Sequence, residues 1–368
     1  MKRTSVSMIL SIALLALINL SNVAYAVEVD NAAVYYSKAF DLQKYNESAE
    51  MKERIQKVIR KGWSGQDPEL EQFIIDNDSA LKEVVEGLKL GKCDFDYGRR
   101  YSYIVEKKTP PLTKIMRLST LFLLRGRYLE SQDRSSAAVN DYFYALQIAR
   151  QLALDMATIS KLSALQIEER ATPVIRDFIN KRANKKDAEN AVNFLKGYLK
   201  DHFSMRQVVK DEKAMFLSTI KTITDKLAPD LAFKKEFVKE AGVLADKYYN
   251  LIADATDPGN QDLFAAVERE ISSLRQELKG IDRQYLERII KNEEKDLSKV
   301  TGTQVVKYLL VIGLPELKKT AAYYHSRIFD LRALQEAAEK KKETFSAAPA
   351  DTTTNTNDVK GMVKTTKK

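Results

Sequence analysis

The apolar residues of this chain recur mostly at intervals of three and four, which is the period of an α-helix. One clear set is Val209, Phe216, Ile220, Ile223 and Leu227. Residues at this spacing lie on one face of a helix. No run of β-branched residues with strict apolar and polar alternation stands between turn signals. The pattern therefore predicts an all-α chain.

A longer set keeps the same intervals across Gly280. Its members are Leu263, Val267, Ile271, Leu274, Leu278, Ile281, Tyr285 and Ile289. Either one long helix bends at the glycine or two helices meet there. Glycine inside a helix costs about 1 kcal/mol relative to alanine, so the pattern favours a break or a kink.

Capping residues and a proline mark the starts of three helices near the N-terminus. They are Asp30-Asn31 for a helix to about Gln43, Asp67-Pro68 for the next, and Asp78 or Ser79 for one to Leu90. Segment 91–110 lacks a helical period, so we expect a long irregular loop, and such loops are often functional. From Leu112 to about Lys342 helices follow almost without interruption.

The two ends of the chain have different compositions from the rest. Lys2 and Arg3 precede a short apolar segment that ends in Ala24-Tyr25-Ala26, so residues 1–26 are predicted to be a cleaved secretory signal. Residues 343–368 hold few large apolar side chains and are expected to be a disordered tail. Between them we expect an N-terminal helical segment, 27–110, and a helical-repeat or bundle region, 111–342. The mature chain would be exported, without a transmembrane helix.

Small residues recur at Gly126, Ala138 and Ala145, with Tyr142 between the last two. Small side chains let two helices approach closely, and an aromatic ring fills the space between them. We therefore predict a hairpin of one helix from about Leu112 to Ser131 and another from about Ser136 to Leu154.

The spacing of these four residues matches the small, small, aromatic and small positions of a tetratricopeptide repeat. Segment 122–150 therefore resembles one such repeat, and the resemblance implies an irregular array of helical hairpins, as a solenoid or a bundle. Three positions differ from the repeat. Arg125 stands where leucine is usual, Leu129 where tyrosine is usual, and Arg150 where proline often ends the repeat.

A broader resemblance is carried by three segments: DNAAVYYSKAF, GKCDFDYG and RYLESQDRSSAAVNDYFYALQIAR. Their order is similar to that in a group of uncharacterised exported helical proteins of bacteria, over roughly residues 30–175. The resemblance implies an exported helical protein and no particular activity.

The charge pattern and the cysteine content limit which partners the chain can bind and how its fold can be stabilised. The 60 basic and 51 acidic residues give a net charge of +9, but both signs are interspersed along the chain. This pattern indicates solvated helix faces rather than a nucleic-acid groove. Cys93 is the only cysteine, so no disulfide can form within the chain.

The sequence contains no zinc, nucleophile-elbow, phosphate-loop or paired-cysteine motif, so no catalytic residue, metal or cofactor is predicted. His202 and His325 are interpreted as partly exposed helical residues, although either can act as a general base beside a nucleophile. Carboxylates are numerous enough to leave open a pair suited to glycoside hydrolysis.

The predicted loop holds the most distinctive local group, Cys93 to Tyr97. Its thiol and two carboxylates can contribute to a metal site, or Cys93 and Phe95 can be buried wedges that fix the loop to the helices. Basic and aromatic residues follow and make a candidate surface for a peptide or glycan. They are Arg99, Arg100, Tyr101 and Tyr103.

Two functions follow from these patterns. The first is a noncatalytic exported scaffold or binding protein of the bacterial cell envelope, with a protein or peptide as its partner. The alternative is an envelope enzyme that acts on glycan or peptide with carboxylate catalysis. The oligomeric state is left open by the sequence.

Overall fold

A computed structural model describes residues 30–44, 48–95, 111–155, 157–226, 231–257, 259–260, 262–290, 293–294 and 299–347. In these residues every regular element is an α-helix, which confirms the all-α prediction and agrees with an array of helical hairpins. The helices are α1 Ala32–Leu42, α2 Ala49–Lys61, α3 Pro68–Asp76, α4 Asp78–Leu88, α5 Leu112–Ser131, α6 Ser135–Leu152, α7 Thr158–Lys181, α8 Lys185–Lys200, α9 Met205–Lys226, α10 Leu231–Ala255, α11 Leu263–Glu277, α12 Arg283–Ile290 and α13 Gly302–Ala347. The predicted signal, 1–26, lies outside the described residues. The predicted disordered tail, 343–368, is wrong for residues 343–347, which continue α13, and residues 348–368 lie outside the described residues.

The caps of the first helices follow the sequence with one exception. The side chain of Asn31 accepts a hydrogen bond from a backbone N–H in the first turn of α1, and Asp67 does the same for α3. The predicted cap of α4 by Asp78 or Ser79 is wrong. Only Asn77 separates α3 from α4, and its carbonyl already accepts the first hydrogen bond of α4 from Leu81. No side chain caps the first turn of α4, and the helix ends at Leu88, two residues before the predicted end.

Helices α5 and α6 form the predicted antiparallel hairpin, with α6 ending at Leu152. Gly126 lies directly beneath the ring of Tyr142, and a Cβ atom on Gly126 would lie 2.2 Å from Tyr142 Cε1. The tyrosine is fully buried and its hydroxyl donates to Glu130 Oε2 at 2.7 Å. The close approach of the two helices therefore requires glycine at position 126.

Arg125, which differs from the tetratricopeptide pattern, has a structural role in this hairpin. Its Nε and Nη2 donate to the two carboxylate oxygens of Asp141 on α6, at 2.7 and 2.8 Å. Its Nη1 donates to Asp78 of α4 at 2.9 Å. A guanidinium group is suited to such two-pronged pairing. Arg125 thus links α4 and α6 to α5 through charged hydrogen bonds. A leucine at this position would make apolar contacts only.

The buried apolar residues form two cores. The first core lies among α1 to α8 and includes Leu331, Leu334 and Ala338 from the C-terminal part of α13. The second lies among α9 to α13 and includes apolar side chains of α13 from Val305 to Ala321. Helix α13 has 46 residues, so at 1.5 Å per residue it is roughly 70 Å long. One helix therefore contributes to both cores.

The apolar faces read from the sequence are buried in the second core. Val209, Phe216, Ile220 and Ile223 of α9 are all buried, while Leu227 lies outside the described residues. The predicted break at Gly280 is confirmed, because α11 ends at Glu277 and α12 begins at Arg283. In the described part of the chain, no helix is both long enough and apolar enough to cross a bilayer.

Candidate functional site

The two cores meet at the connector 201–204, between α8 and α9. Phe203 in this connector packs against side chains of both cores. The ring of His202 stacks on Phe203 with centroids 4.6 Å apart, and Tyr324 of α13 lies 5.5 Å from His202 and 5.3 Å from Phe203. Each such ring pair stabilises a fold by about 0.5–1.5 kcal/mol, in addition to the contribution of the apolar area that it buries. The connector therefore holds α8, α9 and α13 together.

A row of aromatic rings extends from this connector in both directions. Within the first core it continues through Tyr198 and Phe194 of α8 to Phe143 of α6. Towards the second core it continues through His325 to Phe264 of α11. These contacts between the two cores are thus made by rings, several of which carry polar groups.

Glu168 of α7 is the buried carboxylate at this junction, with an exposed fraction of 1%. Its Oε1 accepts from the hydroxyl of Tyr198 at 2.5 Å and lies 2.9 Å from Nε2 of His202. Burial and the neighbouring carboxylate together raise the pKa of the Tyr198 hydroxyl, so Tyr198 remains a donor at neutral pH. Because a buried charge is stable only when paired and hydrogen bonded, His202 and Tyr198 are what allow a carboxylate at this position.

The placement of His202 corrects the prediction of a partly exposed helical histidine. Its side chain is only 4% exposed and it lies after the end of α8. Its Nδ1 lies 3.2 Å from the carbonyl oxygen of Phe203, and its Nε2 lies 2.9 Å from Oε1 of Glu168. Both ring nitrogens are occupied, and His202 is not placed to abstract a proton from a substrate.

A small cavity of about 90 Å³ opens beside this pair. Glu168, Tyr198 and His202 line its inner end, and the ion pair of Arg150 and Asp201, 3.2 Å apart, lies at its rim. The second carboxylate oxygen of Glu168, Oε2, is buried and has no hydrogen-bond partner among the described residues. The cavity is large enough for water molecules, which commonly satisfy such buried polar atoms.

A larger cavity of about 420 Å³ lies on the other side of the connector. It is formed by the start of α9, the residues that follow α10, and the middle of α13. The side chains that give it its chemical character are Met205, Arg206, Tyr324, His325, Phe329 and Arg332. We call it the junction cavity.

Both charged and apolar side chains line the junction cavity. Arg206 pairs with Asp257 at 2.5 Å and lies 3.7 Å from Asp254. Arg332 is exposed and makes no ion pair with a carboxylate in the described part of the chain. Phe329 has an exposed fraction of 73%, the largest among the exposed large apolar side chains of the described residues. The cavity therefore presents one unpaired positive charge beside an uncovered aromatic ring.

His325 of α13 is half-buried between the rings of Tyr324 and Phe264. Burial lowers the pKa of its imidazole, and a hydrogen bond to the backbone of Thr256 opposes this effect in part. Its Nε2 is buried without a hydrogen-bond partner among the described residues. At neutral pH the ring is therefore uncharged and adds no positive charge to the junction cavity.

The two histidines beside these cavities contact rings, a carboxylate and backbone groups. In the described part of the chain, neither histidine is hydrogen bonded to a serine, threonine or cysteine side chain, so neither is placed to activate such a nucleophile. No three histidine, cysteine or acidic residues of the described segments lie together as metal ligands.

The distinctive group at Cys93 is structural where the structure describes it. Cys93 is buried, and burial raises the pKa of its thiol to about 12, so the thiol is protonated at neutral pH. Asn31 bonds both backbone groups of Asp94, and the ring of Phe95 lies 5.8 Å from Tyr36. The group thus fixes the start of the loop to α1. Asp96 and Tyr97 lie outside the described residues.

The predicted binding segment and the predicted hairpin have different outcomes. Arg99, Arg100, Tyr101 and Tyr103 lie outside the described residues, so this surface stays a prediction. The four hairpin residues, Gly126, Ala138, Tyr142 and Ala145, are all buried, and Gly126 and Tyr142 are in contact between the two helices.

Comparison with protein-family models, with curated proteins and with solved structures gave no match to this chain. The interpretation of its function consequently rests on its own residues.

Sequence reasoning did not single out the junction. Tyr198 and His202 are four residues apart, as are His325 and Phe329, so each pair shares a helix face or its extension. This spacing is a weak signal by itself. It gives no indication that Glu168 of α7 and Tyr324 of α13 lie beside the same connector.

Proposed function

We propose that this chain is an exported, noncatalytic binding protein of the bacterial cell envelope whose ligand site is the junction cavity. The observation that carries the proposal is the cavity itself. Its volume of about 420 Å³ falls in the range of roughly 300–1000 Å³ that is typical of ligand pockets. Its lining combines aromatic and aliphatic side chains with a few charged ones, as such pockets do. Export and an envelope location are supported by the pattern of residues 1–26.

The position of the junction cavity also supports binding. Ligand sites commonly lie where two packed units meet, since a cleft there can be lined from both sides. Here α9 and α13 contribute residues of the second core, and the first core begins directly across the connector at His202 and Phe203. A ligand in the cavity would contact the elements that join the two cores.

In the described residues neither histidine is paired with a nucleophile, which favours a noncatalytic role. His202 uses both ring nitrogens on Glu168 and Phe203, and the hydrogen bond of His325 is to the backbone of Thr256. Asp257, the acidic residue among the described side chains of the junction cavity, is already paired with Arg206.

The alternative is an envelope enzyme that cleaves glycan or peptide with two carboxylates, and one observation favours it. Glu168 and Asp201 line the same small cavity. However, about 90 Å³ is well below the roughly 300 Å³ at which ligand pockets begin. A sugar ring would have to displace the ion pair of Arg150 and Asp201 to reach Glu168.

The proposal is tested with the chain that begins at Val27 and a defined set of acetylated dipeptides and disaccharides. We expect peptide-dependent shifts in the backbone amide NMR signals of Met205, Tyr324 and Phe329, with no cleaved product by mass spectrometry. The variant Phe329→Ser should weaken the shifts. The matched control Ile75→Ser, at another exposed apolar position on α3, should leave them unchanged.

Two outcomes would contradict the proposal. A complete lack of shifts at the junction cavity for every probe would remove its main support. Product formation that Glu168→Gln abolishes would establish the enzyme instead.

A further inference from the structure

The positive charge of the junction cavity is unbalanced on the side of α13. Asp257 is paired with Arg206, which also lies close to Asp254. No carboxylate of the described residues pairs with Arg332. An anionic group in the cavity would therefore meet one guanidinium that is free to bind it, and a second that is held in place by its own acids. An arginine fork matches the two oxygens of a carboxylate.

The apolar side of the cavity lies next to this charge. Phe329 is three residues before Arg332 on α13, so the two side chains are neighbours on one helix face. Met205 is buried on the opposite side, and Ile328 is partly buried beside Phe329. Covering an exposed aromatic ring makes the binding free energy more favourable by about 25 cal/mol for each Å² of apolar surface removed from water. The cavity thus fits an apolar group attached directly to an anion.

Polar groups of the backbone and of one hydroxyl also border the cavity. Ser204 and Gly259 are both exposed there. A peptide has N–H and C=O groups that can bond to them, whereas the alkyl chain of a fatty acid would cover them without a partner, which is costly. The polar groups beside the apolar side of the cavity therefore favour a peptide over a lipid as the ligand.

We infer that the junction cavity binds the C-terminal end of a peptide, with the terminal carboxylate on Arg332 and an apolar last side chain against Phe329. Arg206, held by Asp257, is a positioning residue at the cavity edge. This inference rests on the proposed function and specifies the class of its ligand.

The test compares two probes that differ only at the C-terminus, acetyl-leucyl-phenylalanine with a free carboxylate and the same dipeptide as a carboxamide. Affinities are measured by calorimetry at low salt for the chain from Val27 and for its Arg332→Gln variant. We expect the acid to bind the unaltered chain about tenfold or more tightly than the amide, because a charge-assisted bond is lost in the amide. Arg332→Gln should remove that preference and leave amide binding unchanged.

Three further variants separate the contributions. Phe329→Ser should weaken the binding of the acid and the binding of the amide by the same factor, because it removes only an apolar contact. Arg332→Lys should retain part of the preference, since lysine keeps the charge without the planar fork. Arg60→Gln removes another exposed arginine, at the end of α2, and should have no effect on either probe.

The possible failures are distinguishable. Equal binding of acid and amide by the unaltered chain would overturn the inference and leave a peptide-binding protein. Binding of neither dipeptide would overturn the inference, and it would contradict the proposed function as well if no other probe bound at the junction cavity. Binding of decanoate at the same residues, with no binding of the dipeptides, would replace the peptide by a fatty acid.

Discussion

Gly126 is required by a neighbouring ring rather than by its own backbone conformation. A methyl group there would overlap Tyr142, which is held by its bond to Glu130 and by contact with Phe178. We therefore expect Gly126→Ala to lower the free energy of unfolding by about 1–3 kcal/mol, the usual cost of overpacking. The loss is measured by urea unfolding, and Gly126→Val should lose more.

Gly197 provides the matched control, because it also lies within a helix but a Cβ atom at this position would meet no atom within 4 Å. Gly197→Ala should raise stability by up to about 1 kcal/mol, since alanine favours the helix. If both alanine variants were stabilising, the tight contact in the α5 and α6 hairpin would be wrong.

His325 gives the fold a dependence on pH with a definite sign. Burial lowers its pKa in the folded chain below the unfolded value of about 6.5. Above that value the ring is neutral in both states and its contribution to stability is complete. As the pH falls from about 6.5 towards the folded pKa, the unfolded chain takes up the proton first and stability is lost.

We expect the unfolding free energy of the unaltered chain to fall between about pH 7.5 and 5.5, as measured by urea unfolding. His325→Gln should show a smaller fall over the same range. The groups that face this ring are the Thr256 backbone and the rings of Tyr324 and Phe264. An identical pH dependence in both proteins would assign the effect to other groups.

At the scale of the helices, the break between α11 and α12 depends on one backbone conformation. Gly280 has a φ of 89°, in the left-handed region that side chains with a Cβ avoid. Gly280→Ala should therefore lower stability by about 1–2 kcal/mol. Gly242→Ala, in the middle of α10 with open space around it, should have the opposite sign. Thermal unfolding of the two variants measures the difference.

The helices were predictable because their signals are local. Asn31 and Asp67 cap the turns that follow them, and the apolar residues of α9 share one face through the helical period alone. The prediction of the α4 cap was wrong because the first residue of α4 depends on how closely α3 precedes that helix. The junction was not predictable for a related reason, since Arg176 of α7 and Asp330 of α13, which form a hydrogen bond, are 154 residues apart in sequence.

For the whole molecule, Phe203 is the side chain that packs against both cores from the connector. Phe203→Ala would remove that contact and leave α13 as the main link. We expect calorimetry to show a broader transition or two resolved ones, because the cores would no longer unfold together. Phe329→Ala removes a ring of the same size that is mostly exposed, and it should leave one sharp transition. A single sharp transition in both variants would show that α13 alone couples the cores.

The position of α13 long after α7 and α8 in the sequence also affects how the first core forms during synthesis. Leu331, Leu334 and Ala338 complete that core, yet the ribosome makes them long after α7 and α8. At about 5–20 residues per second, the interval of 154 residues between Arg176 and Asp330 takes roughly 8–30 s. During this time the apolar surface that α13 later covers stays open. A nascent chain of this protein therefore has a built-in period in which a chaperone can hold it unfolded, and products shortened at the C-terminus should be preferred substrates for proteolysis.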